Sequence, residues 1–140
     1  MTPRRYATLA VLASTLAMLQ VHPAPAQQRP VLGTWTGKLT ASELRSARVR
    51  LEVDRLKVGR RAGYLTYDDV GCVGTLTLVR RTKRSFTFRY REMALDFACV
   101  WDDEIYVSRR GRRLFMRVAA SDLDDVSRGL LRRCQCDPIF

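Results

Sequence analysis

Past residue 32 the chain alternates between polar and apolar side chains with a period close to two. Arg48-Val49-Arg50-Leu51-Glu52-Val53-Asp54 does so without a break. Cys72-Val73-Gly74-Thr75-Leu76-Thr77-Leu78-Val79 and Ser85-Phe86-Thr87-Phe88-Arg89-Tyr90-Arg91 repeat the habit. That period belongs to strands with one buried face. It predicts strands over about 33–40, 47–55, 61–67, 72–80, 84–92, 104–109 and 112–119. Residues 93–103 read either as a long loop or as a further strand. Short, regular connections favour an all-β antiparallel meander, closing into a small barrel or half-barrel, over a layered α/β fold. The inward set is then Leu39, Val49, Leu51, Val53, Leu65, Leu76, Leu78, Phe86, Phe88, Tyr90, Ile105, Val107, Leu114, Met116 and Val118.

After Ala120 the period changes. Ser121 opens Ser-Asp-Leu-Asp, which has the form of an N-cap followed by acids in a first turn, and Leu123, Val126 and Leu130 fall on one helical stripe. One short C-terminal helix over about 122–131 is expected, packed on the barrel or plugging its mouth.

The N-terminus follows a different rule. Arg4-Arg5, an apolar run from about Ala7 to Val21, and Ala24-Pro25-Ala26 make the pattern of a Sec-type signal peptide cleaved after Ala26. No cysteine is near enough for lipid attachment, and no later apolar run is long enough to cross a bilayer. The expected division is therefore a signal peptide over 1–26, a linker over 27–31, the β-domain over 32–120, and a helix with a cysteine-containing tail over 121–140. The mature product would be periplasmic or secreted.

Composition narrows the chemistry. Lys and Arg outnumber Asp and Glu by 25 to 14 in 140 residues, and the only histidine, His22, lies in the segment expected to be removed. Ser-His, Cys-His and His-ligated metal chemistry are thereby excluded from the mature domain. No catalytic residue, metal ligand or cofactor is assigned. Ser121 has no base in view, and Asp68-Asp69 and Asp102-Asp103-Glu104 read as solvated turns.

In an up-and-down meander alternate turns share an end. The second, fourth and sixth connections carry Arg55, Lys57, Arg60 and Arg61, then Arg80, Arg81, Lys83 and Arg84, then Arg109, Arg110, Arg112 and Arg113. Twelve positive charges at one end, opposite Asp68, Asp69, Glu92, Asp96, Asp102 and Asp103, would make the domain electrically polar along its axis. Such a cluster concentrates anions near the surface and speeds their association. Export places Cys72, Cys99, Cys134 and Cys136 in an oxidising compartment. The same parity favours a Cys72–Cys99 bridge, and leaves Cys134 and Cys136 to pair with each other, between chains, or with one of the other two.

Leu32-Gly33-Thr34-Trp35-Thr36-Gly37, Gly63-Tyr64-Leu65-Thr66-Tyr67, Gly71-Cys72-Val73-Gly74-Thr75-Leu76-Thr77-Leu78, Phe88-Arg89-Tyr90-Arg91-Glu92, Cys99 and Gly111-Arg112-Arg113-Leu114 form an ordered series. It resembles the small extracellular β-domain that follows the membrane span in some actinobacterial serine/threonine kinases. The opening Gly-x-Trp also resembles lipocalin-like barrels, in which a Trp of the first strand packs across the closed end. The likeness, over about 32–119, implies an antiparallel β-domain with a Cys72–Cys99 bridge and brings no catalytic residues. The chain departs from it in having no kinase, in its Arg-rich hairpins and in its Cys-Gln-Cys tail.

The function expected is therefore a non-catalytic binding module whose basic hairpins recognise an anionic polymer, a cell-envelope component or an acidic protein. Nucleic acid has little support, because Phe86, Phe88 and Tyr90 stand at core spacing. The alternatives are a carrier holding an apolar small molecule behind Trp35, Phe86 and Phe88, and a periplasmic inhibitor of an enzyme. A disulfide-linked dimer through the tail is a further expectation.

Overall fold

Eight antiparallel strands, each hydrogen-bonded to the next in sequence and the last to the first, close into an up-and-down barrel. The structure, a computed structural model, describes residues 31–41, 46–93, 103–119 and 126–139. The strands are β1 (Gly33–Thr40), β2 (Ser46–Val53), β3 (Arg61–Tyr67), β4 (Cys72–Arg81), β5 (Ser85–Glu92), β6 (Glu104–Arg110), β7 (Arg113–Ala119) and β8 (Val126–Arg133). Seven of them fall where the alternating pattern puts them, because each has one face of branched and aromatic residues that must leave water. All fifteen residues of the expected inward set are buried, joined by Val31, Trp35, Ala62, Tyr67, Cys72 and Leu131. The expected signal peptide over 1–26 and residues 94–102, the greater part of the uncertain segment, lie outside the described residues. Of the expected linker only Val31 is described, and it belongs to the core.

The C-terminal element is a correction. Residues 126–133 form β8, paired with β7 on one side and β1 on the other, and no helix stands among the described residues. A seven-stranded meander leaves two unpaired edges, each a row of exposed backbone donors and acceptors. An eighth strand satisfies both, and that gain outweighs the local helical stripe, of which Leu123 lies outside the described residues. On β8, Leu131 points inward opposite Leu114, whereas Leu130 faces out and is 44% exposed.

Gly129 makes the closure. A Cβ there would collide with the carbonyl oxygen of Lys38 on β1, so only glycine lets the first and last strands meet at this register. Gly129→Ala is expected to lower stability by about 2–3 kcal/mol through overpacking. The sign is diagnostic in a urea melt: in an exposed helix the same change would raise stability by up to ~1 kcal/mol.

Cys134 is bonded to Cys136 within the chain, a Cα–Cα separation of 5.2 Å. Of the pairings left open for these two cysteines, this is the local one, a ring within the tail. Cys72, buried at the start of β4, is also disulfide-bonded. Cys99, its expected partner, lies outside the described residues.

Candidate functional site

The topology gathers the three basic hairpins at one end. The β2–β3 connection (54–60), the β4–β5 turn (82–84) and the β6–β7 turn (111–112) all open there, together with the start of β1 and the end of β8. Backbone bonds tie them into a continuous rim. Gly59 N donates to Leu78 O at 2.8 Å, Leu78 N to Arg60 O at 3.1 Å, and Arg109 N to Arg84 O at 3.4 Å.

Each hairpin is built to hold its charges outward. At β4–β5, the hydroxyl of Thr82 accepts from Arg84 N at 3.2 Å and from Ser85 N at 3.0 Å, a local bond that fixes the turn and leaves Lys83 and Arg84 exposed. At β6–β7 only two residues separate the strands. Gly111 takes φ of +60°, a conformation that such short hairpin turns require. The Arg109 side chain donates back to its carbonyl at 2.9 Å. Arg55, Lys57, Arg60, Arg80, Arg110, Arg112 and Arg113 are exposed.

Within the three hairpins the one acid is Asp54, which pairs with Arg61 at 3.5 Å. Arg61 also donates to the Tyr64 hydroxyl and lies 4.9 Å over its ring. An exposed pair of this kind is worth ~0–1 kcal/mol and leaves the rim strongly positive.

Beneath the rim, guanidiniums seal the barrel interior. Arg133, the last residue of β8, lies 4.8 Å over the ring of Trp35 and donates to Leu32 O at 2.9 Å. Trp35 is 1% exposed, and its indole N–H donates to Val31 O at 2.7 Å. Arg81 lies 5.8 Å over Phe86, which stacks at 6.4 Å on Phe88. Trp35, Phe86 and Phe88 all belong to the buried core below the basic end, Phe86 and Phe88 stacked on each other. The cations that cover them present their charge to the same side. The sequence pattern does not mark Arg133; what places it is the register Trp35↔Arg133, which exists only where β8 closes on β1.

The opposite end has the opposite character. Asp68 and Asp69 fold back onto β2, pairing with Arg50 at 3.7 Å and Arg48 at 3.0 Å. The Arg48 backbone N–H and guanidinium hold the Asp69 carboxyl below the usual carboxylate range. Inside the barrel at this end stand Tyr67 and Tyr90, their rings edge to face at 6.0 Å, with Glu92 and the buried Asp103. Tyr90 donates its hydroxyl to Glu92. Asp96 and Asp102 lie outside the described residues.

No protein-family model matches the chain, and no curated protein matches it.

Proposed function

We propose that the protein is an exported, non-catalytic binding module that recognises an anionic partner with the basic end of a lipocalin-like barrel. The observation that carries this is the rim itself: three hairpins from separate parts of the sequence are bonded side by side, and their one acid is already paired. Arginine suits the task because its planar fork donates two parallel hydrogen bonds to a carboxylate, phosphate or sulfate. The rigid scaffold below, with Arg133 and Arg81 held on aromatic rings, keeps the end closed and the charges fixed in direction. The chain from sequence to function is short: turn residues set the hairpins, closure sets their common end, and their common end sets the field.

The test is binding of a fluorescent sulfated polysaccharide followed by anisotropy from 50 to 500 mM salt. Affinity is expected to fall steeply and linearly on a log–log plot, as bound counterions are released. Lys83→Ser with Arg84→Ser should weaken binding roughly three- to tenfold. No binding at the lowest salt, or an affinity indifferent to salt, would end the proposal.

The second function, carriage of an apolar small molecule behind Trp35, Phe86 and Phe88, would require an internal cavity of roughly 300 Å³ or more. Native mass spectrometry of the exported protein distinguishes it, because a carrier retains a stoichiometric small ligand and a surface binder does not.

A further inference from the structure

Placing β8 beside β7 creates a surface that neither strand suggests alone. On the outer face of this pair Arg113 stands opposite Arg132, Phe115 opposite Leu130, and Arg117 opposite Arg128. The ladder therefore reads cation pair, apolar pair, cation pair. All four guanidiniums are exposed. Arg110 on β6 extends the first row, opposite Arg113, and its guanidinium lies 4.4 Å over Phe115; that of Arg117 lies 5.7 Å over Tyr106. Like charges directly opposite one another weaken a sheet. No acidic side chain stands on the outer face of β7 or β8 to relieve them. This face is kept positive at the expense of the fold.

We infer that the β7–β8 outer face docks a linear acidic polysaccharide built of uronic-acid-type rings. The inference rests on the anion-binding function proposed above and names the ligand class and the surface. The two cation pairs are four residues apart, roughly 14 Å along the strands, which makes an elongated track rather than a point site. Between them lies the apolar Phe115–Leu130 pair. A pyranose ring offers the complement: an apolar C–H face for the exposed Leu130 side chain at the centre and carboxylates at its edge for the guanidinium forks. Single-stranded nucleic acid needs bare aromatic faces for its bases, and here guanidiniums cover both rings. A membrane surface needs a broad apolar face to insert, and Leu130 is the one exposed large apolar side chain on this pair of strands.

The experiment compares three probes on the exported full-length product: labelled polygalacturonate oligomers, vesicles containing anionic phospholipid, and single-stranded DNA of matched charge. It uses the double variant Arg117→Thr with Arg128→Thr, which leaves the hairpins intact, and the hairpin variant Lys83→Ser with Arg84→Ser. The face variant is expected to lose at least tenfold in polygalacturonate affinity while its Tm rises by roughly 2 °C, as one like-charge pair is removed. Should it fail to fold, Arg117→Lys with Arg128→Lys keeps the charge, removes the forks, and should still lose several-fold. Unchanged affinity in the face variants with a loss in the hairpin variant overturns the face and leaves the general anion-binding function standing. Tighter binding of vesicles or DNA than of polygalacturonate overturns the ligand class. No binding of any probe by the unmodified protein overturns both.

Discussion

Trp35→Ala is expected to cost about 3–5 kcal/mol, the range for emptying a buried aromatic site. Whole domains are stable by only about 5–15 kcal/mol, so the variant should unfold at or below moderate urea. The reason is its position as much as its size. Trp35 stands between Leu51 of β2 and Arg133 of β8, at the seam where the first and last strands meet. Its loss empties the core, frees the Val31 carbonyl from the indole N–H, and leaves the Arg133 guanidinium without the ring on which it lies. Arg133→Lys separates these effects. It keeps the charge but loses the flat stacking surface and the fork that reaches Leu32, and should cost about 1 kcal/mol. Equilibrium urea unfolding of the three proteins checks both values. An alanine variant within 1 kcal/mol of the parent would mean that closure does not depend on this seam.

Most of the barrel was legible because period-two alternation is a direct record of burial. Val49, Leu51 and Val53, or Phe86, Phe88 and Tyr90, must all face one way in any strand that contains them. The eighth strand was not legible, for a reason that lies in the closure itself. Its inward positions are Ser127, Gly129, Leu131 and Arg133, of which one is aliphatic. Glycine is there because β1 comes too close for a side chain, and Arg133 because its partner is a tryptophan ring. The two residues that closure demands are the two that erase the alternation, and the remaining Val126 and Leu130 happen to stand at helical spacing. Counting edges would have found the strand: seven consecutive antiparallel strands with apolar inner faces leave two edges unpaired.

The candidate site divided the same way. The common end of the three hairpins followed from parity alone, since an even number of strands separates each basic turn from the next. What sequence order does not contain is lateral neighbourhood. Arg113 and Arg132 are nineteen positions apart in the chain and directly opposite in the sheet, and only the β7–β8 register reveals that they form a row. Tyr106 and Phe115 carried the same ambiguity. Their outward positions on β6 and β7 place them under Arg117 and Arg110 rather than in the core.

Alkaline unfolding should report on the opposite end of the barrel. Tyr67 and Tyr90 both resist ionisation far beyond the ordinary phenol range. For Tyr67 the main cause is burial, followed by the negative charges of Asp103 and Glu92. For Tyr90 it is again burial, followed by the hydrogen bond to Glu92. An unfolded tyrosine loses its proton near pH 10, so above that pH the native state holds protons that the unfolded state has released, and stability falls as pH rises. Below about pH 10 the contribution of both groups is complete. Above it each withdraws about 1.4 kcal/mol per pH unit, so near pH 11.5 the pair together removes about 4 kcal/mol. Unfolding free energy should therefore be flat from neutrality to about pH 9.5 and then drop steeply, with the 295 nm absorbance of these phenolates appearing only as the barrel opens. Tyr67→Phe and Tyr90→Phe should each make the decline shallower by about half, and a double variant with the parent slope would show that other groups govern it. Arginine remains charged throughout this range, so anion affinity carried by the β7–β8 face, whose cations are all arginines, should hold constant up to the unfolding pH and vanish with it. A gradual loss of binding before the barrel opens would place the anion contact on groups that titrate, and away from the guanidiniums.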